Sequence, residues 1–532
     1  MEFDMLLRGG TVVDGTGRAG FRADVGLSGD RIAAVGDLGG SSAREEIDAV
    51  DRVLAPGFID VHTHSDLTVL VNGRAESKVH QGVTTEVTGN CSFSPYPVRP
   101  GRPELVERYE LRTALAGIEW DWSDLDGYVQ RVERQGIALN IAPLVGQASV
   151  RIAAMGGGEG RPSPDQLRDM QRLVEVALQQ GAFGMSVGLT LVPSGFADTD
   201  ELIALAEPLG RFGRLYVQHS RLWAGWHART IEEAVQIGRA AHCGVQISHQ
   251  AIVDSREYGT ASSLIEIMER ARADGIDIMY DVYPYLAGGT TMDQLVPTWV
   301  QDGGVEVMLR RLEDLEMRKR AIADTNKGWF RGLPFDWTKL FLTEVGTPES
   351  TRYLGWTLAQ LAEEWGMHGA ETVIELIRRE QNRVGVVMFN RDEDDMRTFL
   401  RHPLAMVGSD GSSIAPYGPF STSKPHPRFY GTYPRILGRY VRESPVLSLE
   451  DAVHKMTGLP ADRFGLSDRG RVAEGLIADL VVFDPNTVVD TATFENPHAY
   501  PVGIHDVLVA GQPVIRGGEH TGALPGRVLR AR

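Results

Sequence analysis

Eight short apolar runs, each followed by a stretch with helical signals, constrain the fold of this chain more than any other feature of its sequence. The runs have the length of buried strands, and the stretches between them are long enough to hold helices. They lie at residues 58–61, 85–88, 139–145, 182–187, 215–218, 245–248, 276–283 and 405–408. Eight units of this kind predict an α/β fold, a (β/α)8 TIM-like barrel, whose functional side chains lie at the C-terminal ends of the strands.

Two of the intervening stretches carry clear helix-start signals. Ser163-Pro164 predicts an N-cap followed by the first helical residue, ahead of an apolar periodic segment. Thr230, followed three residues later by Glu233, predicts a capping box. Both signals support alternation of strand and helix through the middle of the chain.

The two ends of the chain follow another pattern, because short strands succeed one another there without helices. Such runs lie at residues 5–7, 11–13, 23–27 and 31–35 near the start, and at 478–483 and 507–515 near the end. Since short strands with one apolar face need partners, we expect both ends to form one small composite β-sandwich. The predicted domains are residues 1–54 with 476–532 as the sandwich, and residues 55–475 as the barrel.

Residues 286–345 interrupt the repeat directly after the seventh run. This stretch is long and rich in Arg, Asp, Glu and Trp. An insertion at this point lies over the barrel mouth, so we predict a lid that shapes the pocket. A peripheral helical decoration is the alternative interpretation.

Composition narrows the classes of partner. The 532 residues carry a formal net charge of −17, which argues against nucleic acid or an anionic membrane as partner. No apolar run has the length of a membrane helix, and the start lacks the features of a signal peptide. Two cysteines, Cys91 and Cys243, make no disulfide framework. We therefore expect a cytoplasmic enzyme with a small-molecule substrate, and leave open whether it forms a homo-oligomer.

The run that ends in His62 and His64 carries the first sign of a metal site. Two histidines two residues apart project from one face of a strand and can reach one ion. Other candidate ligands end the second, fifth, sixth and eighth runs: Cys91, His219, His249 and Asp410. Imidazole and thiolate are good zinc ligands, and a carboxylate can be a ligand or a proton carrier. Six groups exceed one tetrahedral ion, so either two metal positions share a ligand or one occupied site has a weaker neighbour.

Several motifs together resemble those of the amidohydrolase superfamily, and more closely those of its N-acyl-D-amino-acid deacylase (D-aminoacylase) branch. The resemblance covers nearly the whole chain. Its motifs are Leu6-Leu-Arg-Gly-Gly-Thr-Val-Val-Asp-Gly-Thr-Gly17, Pro56-Gly-Phe-Ile-Asp-Val-His-Thr-His64, Gln81-Gly-Val-Thr-Thr-Glu-Val87, Gly89-Asn-Cys91, Ile247-Ser-His249, Asp281-Val-Tyr-Pro-Tyr285, Gly408-Ser-Asp-Gly411, His426-Pro-Arg428 and Asp468-Arg-Gly470.

The resemblance implies a zinc-dependent hydrolase of amide C–N bonds, acting on N-acyl-D-amino acids or related N-acyl compounds. It implies that Cys91, His219 and His249 hold a tightly bound Zn²⁺, and that His62 and His64 frame a weaker second position with Cys91. It also makes Asp410 the general base and acid. Many amidohydrolases bridge two metals with a carboxylated lysine on a barrel strand. Because none of the eight runs contains a lysine, Cys91 is the natural substitute.

Three departures from the deacylase pattern lie near the expected pocket. After the fourth run the family commonly has Gly-Leu-Glu-Tyr, whereas this chain has Gly188-Leu-Thr-Leu191. The fifth-run histidine is commonly followed by Met-Arg with a nearby Glu, but the run here is His219-Ser-Arg-Leu-Trp-Ala-Gly-Trp226. A lysine usually lies beyond the sixth-run histidine, where this chain has Gln250-Ala251. The metal shell is kept, while the pocket becomes more apolar and aromatic.

The family's substrate carboxylate meets Arg and Tyr donors, and the matching residues here are Tyr283 and Arg428, with Arg221 as a third candidate. A bidentate guanidinium suits a carboxylate. A structural ion pair for Arg428 and simple packing for Tyr283 are the alternatives. Trp223 and Trp226 either form an aromatic wall for a bulky acyl group or cover a helix.

Three other functions compete with deacylation. The altered pocket favours an amidohydrolase acting on a different C–N bond, in a cyclic amide, carbamate or aryl amide. A catalytically silent binding protein is disfavoured because all six metal-site groups are present. A deaminase on the same scaffold is disfavoured by the deacylase motifs alone.

Overall fold

The computed structural model describes residues 2–102, 104–110, 115, 117–221, 225, 227–330 and 332–532. Its strands are β1 Glu2–Val12, β2 Phe21–Ser28, β3 Arg31–Gly36, β4 Ser42–Asp48, β5 Val53–Pro56, β6 Phe58–Asp60, β7 Val83–Thr88, β8 Asn140–Pro143, β9 Val145–Gly146, β10 Gly184–Gly188, β11 Leu215–His219, β12 Gly244–Ile247, β13 Ile278–Val282, β14 Ala287–Thr291, β15 Leu340–Glu344, β16 Gly385–Phe389, β17 Ala405–Val407, β18 Leu480–Phe483, β19 Ile504–Val509, β20 Gln512–Arg516 and β21 Glu519–His520. Its α-helices are α1 Thr68–Val71, α2 Glu76–Val79, α3 Glu104–Glu110, α4 Leu125–Gln135, α5 Gln147–Met155, α6 Pro164–Gln179, α7 Thr199–Phe212, α8 His227–Ala241, α9 Ala261–Ala273, α10 Thr298–Gln301, α11 Val305–Glu313, α12 Leu315–Thr325, α13 Leu358–Trp365, α14 Gly369–Arg379, α15 Glu393–Arg401, α16 Arg428–Arg435, α17 Leu449–Met456 and α18 Gly458–Phe464. None of these helices is long and apolar enough to cross a membrane.

Parallel strands form a closed barrel in the middle of the chain. β6, β7 and β8 pair in that order, and β9 continues β8 after Leu144 and leads through β10, β11, β12 and β13 to β17. The ring closes where the amide of Asp410 donates to the carbonyl of His62, and the amide of His64 to the carbonyl of Gly411, both at 2.8 Å. A strand overlaps each of the eight predicted runs, and the barrel is confirmed.

The barrel strands are buried on both faces, as expected for parallel strands covered by helices. Helices α6, α7, α8 and α9 pack against one another in sequence, and α15 packs on α9. The start of α6 matches its prediction, because Ser163 and Gln166 form a reciprocal capping box with Pro164 as first residue. The capping box at Thr230 is wrong: α8 begins earlier, at His227, and the Thr230 hydroxyl donates to the carbonyl of His227.

Both ends of the chain contribute to a single nine-stranded sheet. Its order is β21-β20-β19-β18-β5-β1-β2-β3, with β4 on β1. Apolar side chains from the two ends share one core that includes Leu7, Val25, Leu480 and Leu508. The two predicted strands at 5–7 and 11–13 are one strand, β1, because a bulge at Gly9, with a φ of +68°, lets the chain continue.

The insertion after the seventh barrel strand forms a unit with its own core. β14, β16 and β15 make an antiparallel sheet, and α10 to α14 lie between its strands in the chain. The buried core includes Met292, Leu342, Leu376 and Met388. The unit therefore runs from β14 to β16, beyond the predicted 286–345, because β16 supplies the central strand of its sheet. Its action as a lid stays a prediction.

Candidate metal centre and active site

Five side chains that can bind a metal converge at the C-terminal ends of the barrel strands. Nε2 of His62 lies 3.3 Å from Sγ of Cys91, which lies 3.4 Å from Nδ1 of His219 and 3.6 Å from Nε2 of His249. The donor atoms form two groups that share this sulfur, one with His62 and His64 and the other with His219 and His249, and within each group all lie within 4.8 Å. Residues predicted from four separate strands thus meet at one place.

The donor set fits zinc. Nε2 of His249 lies 2.9 Å from Nδ1 of His219, and both nitrogens are within 3.6 Å of the sulfur of Cys91. Such separations suit donors around one ion with Zn–N distances of about 2.0–2.1 Å and a Zn–S distance of about 2.3 Å. Burial acts to raise the pKa of the Cys91 thiol, but His62 and His219 outweigh it and hold this pKa well below its ordinary value. The thiolate needed for a metal ligand is therefore favoured.

Three of the site residues have left-handed backbone conformations. The φ angles are +50° at Cys91, +38° at His249 and +50° at Asp410. Non-glycine residues adopt this region at a cost, and they cluster at functional sites where the surrounding structure holds them. Each of the three follows a barrel strand, so the strained turn directs its side chain across the barrel mouth.

Neighbouring polar groups orient the imidazoles. The Oγ1 of Thr190 lies 2.7 Å from Nε2 of His219, on the far side of the ring from Cys91. Asp281 accepts a hydrogen bond from the amide of His249 at 2.8 Å, and its carboxylate lies 3.6 Å from Nδ1 of His62. Such partners fix the ring orientation and tautomer of metal-binding histidines.

Asp410 is an ionised carboxylate that lies between His64 and Arg428. Its Oδ1 lies 3.0 Å from Nε2 of His64 and 3.7 Å from Nε2 of His62, and its Oδ2 lies 3.0 Å from Nη2 of Arg428. Burial acts to raise its pKa, but the charge of Arg428 and the hydrogen bond with His64 hold this pKa well below its usual range. The group is thus ionised in this environment.

A buried ionic network that the sequence analysis missed lies below the ligands. Nζ of Lys78 donates to Asp60 at 2.8 Å and to the hydroxyl of Ser409 at 2.5 Å, and lies 3.4 Å from Glu86. The three charged side chains have no exposed surface. Asp60 also accepts from the amides of His62 and Ser409. The network therefore fixes the backbone beside two parts of the site.

A cavity of about 90 Å³ opens beside the ligands, with the barrel on one side and the insertion on the other. Barrel loops contribute Thr190, Ser220, Gln250, Ala251 and Tyr283, and the insertion contributes Gly288, Gln294, Trp329 and Met388. His219, His249 and Asp410 also line it. All three departures from the deacylase pattern thus contribute to the cavity wall, through Thr190, Ser220 and the pair Gln250-Ala251.

Tyr283 and Arg428, two of the predicted substrate-binding residues, contact each other next to Asp410. The guanidinium carbon of Arg428 lies 4.8 Å from the centre of the Tyr283 ring, and both side chains are buried. Nε and Nη1 of Arg428 are buried without a hydrogen-bond partner in the described part of the chain. These two donors are therefore left unsatisfied by the described protein groups.

The structure gives the third candidate, Arg221, another environment. Its guanidinium donates to Glu233 at 3.1 Å and to the carbonyls of Gly195 and Ala197 at 3.4 and 2.5 Å. The expected substrate contact is therefore corrected to a structural role, because the buried charge is satisfied by its own neighbours. Trp223 and Trp226 lie outside the described residues.

Comparison with known proteins agrees with this geometry. The model of the amidohydrolase family matches residues 45–327 and 358–515. An N-acyl-D-glutamate deacylase of Alcaligenes xylosoxydans xylosoxydans is 36% identical, covering 99% of this chain and 97% of that protein. A D-aminoacylase of the same organism is also 36% identical, with the same coverage of both chains.

A solved structure resembles the whole molecule. The N-acyl-D-glutamate deacylase of Bordetella bronchiseptica, crystallised with zinc and a phosphonate inhibitor that mimics the tetrahedral intermediate, superposes with a TM-score of 0.84 and 34% identity, covering 100% of both chains. Because the family model matches most of the sequence and these relatives match it from end to end, this chain is a member of the amidohydrolase family.

Proposed function

We propose that this protein is a zinc-dependent hydrolase that removes the acyl group from N-acyl-D-amino acids or related N-acyl compounds. The observation that carries the proposal is the convergence of His62, His64, Cys91, His219 and His249 beside the carboxylate of Asp410. Zinc in the related Bordetella enzyme supports the choice of metal.

In this proposal, Cys91, His219 and His249 hold one zinc ion tightly. His62 and His64, sharing Cys91, frame a second and weaker position, and Asp410 lies close enough to His64 to contribute there. When bound, zinc would lower the pKa of a water to about 7 and polarise the scissile carbonyl. Thr190 and Asp281 keep the imidazoles oriented for this role.

Asp410 is the proton carrier. Its low pKa keeps it unprotonated before the reaction. In this role it accepts a proton from the attacking water. As the C–N bond breaks, the same carboxyl group delivers that proton to the leaving nitrogen. His64 and Arg428, each 3.0 Å from one carboxylate oxygen, hold Asp410 in position for both transfers.

Arg428 and Tyr283 form the receptor for the substrate α-carboxylate. The two unpartnered nitrogens of Arg428 offer a charged donor set, and burial strengthens their interaction with an anion. The insertion from β14 to β16 closes over the bound molecule as a lid. The two free cysteines, Cys91 and Cys243, suit a cytoplasmic location.

The first test is release of amine from a matched panel of N-acetyl D- and L-amino acids, using protein supplied with zinc. We expect cleavage of D-substrates only, loss of activity with a chelator and recovery on adding zinc. If zinc is bound and no D-substrate is cleaved, the proposal is wrong, and cyclic amides, carbamates and aryl amides become the substrates to examine.

The metal assignment has a matched pair of cysteine variants. Cys91→Ala removes the shared ligand, so we expect it to lose stoichiometric zinc. Cys243→Ala is the control, because burial raises the pKa of this thiol to about 12 and the residue packs in the barrel core. Equal zinc content in the two variants would contradict the role of Cys91.

A further inference from the structure

A second guanidinium, that of Arg391, lies against the Tyr283 ring as that of Arg428 does. Arg391 lies between β16 and α15 and lines the same cavity as His219, His249 and Asp410. Its guanidinium carbon lies 4.9 Å from the centre of the Tyr283 ring, against 4.8 Å for Arg428. Tyr283 thus contacts two positive charges in a site where one substrate carboxylate is expected.

The two arginines differ in their protein partners. Arg428 forms an ion pair with Asp410 at 3.0 Å. Arg391 has no carboxylate within ion-pair distance among the residues that the structure describes, and its Nη1 donates at 3.3 Å to the neutral amide of Asn390. Its Nε is buried without a hydrogen-bond partner there. A partly buried cation without a counter-charge favours an anionic ligand.

The insertion leaves space for this guanidinium. A Cβ at Gly288 on β14 would lie 2.6 Å from Nη1 and 2.9 Å from Nη2 of Arg391, closer than real Cβ contacts. At the next residue, Gly289, a Cβ would lie 3.6 Å from Nη2 of Arg428, which is an ordinary contact. The absence of a side chain at Gly288 therefore lets Arg391 occupy the cavity wall.

We propose that Arg391 binds a second carboxylate on the substrate, so that the preferred substrate is an N-acyl-D-amino acid whose side chain ends in a carboxylate. This inference rests on the proposed deacylase function and adds the side-chain class. Relatives do not decide it, because an N-acyl-D-glutamate deacylase and a D-aminoacylase are equally similar to this chain. Stacking on Tyr283 as a purely structural role for Arg391 is the competing explanation.

The test compares acids with their neutral amides of the same shape. Kinetic constants are measured with zinc-loaded enzyme on the N-acetyl derivatives of D-glutamate and D-glutamine, of D-aspartate and D-asparagine, and of D-leucine. A hydrogen bond to a charged group changes binding affinity by a factor of about 10 to 100. We expect at least one acid to exceed its amide in kcat/KM by about this factor, mainly through a lower KM.

Three variants separate recognition from structure. Arg391→Met should remove the preference for the acid, by raising its KM, and leave the amide nearly unchanged, whereas Arg391→Lys should keep part of the preference. Arg401→Met, at the exposed end of α15, is the control and should behave as wild type. An equal loss on acid and amide in Arg391→Met would assign the residue a structural role and overturn the inference.

The outcomes for the two proposals are distinguishable. If the enzyme cleaves N-acetyl-D-leucine or the amides as well as the acids, the deacylase function stands and the role of Arg391 is overturned. If zinc-loaded enzyme cleaves none of the D-substrates, both proposals fail.

Discussion

The barrel side and the insertion side of the cleft differ in how their charged groups are satisfied. On the barrel side, Asp410 has both His64 and Arg428 as partners, and the buried Lys78 is paired with Asp60. Near the insertion, Arg391 has a tyrosine ring and a neutral amide as its neighbours. Each of these barrel-side charges thus has an opposite charge beside it. Arg391 has no such partner among the described residues and keeps donor capacity for a ligand.

This difference reflects two physical requirements of an enzyme of this kind. Groups that carry out chemistry must be held in position before the substrate arrives, because reorganisation during the reaction would raise the barrier. Groups that recognise a substrate contribute most to selectivity when the ligand supplies their missing hydrogen-bond partner. Desolvated donors then disfavour molecules that cannot pair with them. Thr190, Gln250 and Ala251 lie in the cavity wall, where the chain departs from the deacylase pattern.

Asp410→Asn tests the barrel side most strongly. The amide keeps the shape of the carboxylate but cannot act as a base, so we expect kcat to fall by about 10²–10⁴. Zinc content should be unchanged, because Cys91, His219 and His249 still hold the ion. Steady-state kinetics with metal analysis checks this, and a nearly fully active variant would contradict the role of Asp410.

Lys78→Met tests whether the network below the ligands holds the barrel side in place. Removing one partner of a buried ion pair leaves carboxylates uncompensated, so we expect a loss of about 3–5 kcal/mol in the free energy of unfolding. Lys327→Met is the control: that lysine is 75% exposed, pairs with Asp324 on the surface and should change stability by at most about 0.5 kcal/mol. Equal unfolding midpoints of Lys78→Met and Lys327→Met would show that the network is dispensable for stability.

Thr190→Val removes the hydroxyl 2.7 Å from Nε2 of His219 at nearly constant volume. Because this partner orients the imidazole, we expect zinc affinity to fall by about 10–100-fold. Thr190→Ser keeps the hydroxyl and is expected to retain most of the affinity. Competition with a zinc chelator measures the affinity of both variants. An unchanged affinity in the valine variant would show that a group other than Thr190 orients His219.

Gly288→Ala tests the insertion side and should have the smallest effect. The new Cβ displaces the guanidinium of Arg391, while Gly289→Ala meets Arg428 at an ordinary distance and serves as the control. If Arg391 binds the side-chain carboxylate, KM for the acidic substrate should rise by about tenfold in Gly288→Ala. This is the loss of affinity expected when one of the weaker charge-assisted hydrogen bonds is broken. The amide substrate should be unaffected, and equal behaviour of the two alanine variants would contradict the contact.

Sequence periodicity predicted the barrel because each strand and each helix has its own apolar pattern within a short segment of the chain. The ligands could be found because each of His62, Cys91, His219 and His249 lies at a strand end, and parallel strand ends meet at one mouth. Asp60 had a similar signal, since it alternates with His62 and His64 along the chain and so shares their face. Its partner Lys78 had none, because its position on α2 gives no indication of a buried carboxylate nearby.

Errors arose where a local pattern was overruled by contacts distant in sequence. Thr230 and Glu233 have the spacing of a capping box, yet α8 begins at His227. Instead, Glu233 pairs with Arg221, which removes that arginine from the expected substrate contacts. The extent of the insertion was underestimated because β16 joins its sheet from a position about 40 residues beyond β15.

The sequence by itself determined the order of strands and helices, the side chains at the strand ends and the donor chemistry that suits zinc. These properties depend on residue type and on periodicity along the chain. Only the tertiary structure decided which charges are paired and which keep unpaired donors. Arg221, Arg391 and Arg428 are chemically identical in the sequence, and their roles differ because the fold places a carboxylate beside two of them and an open cavity beside the third.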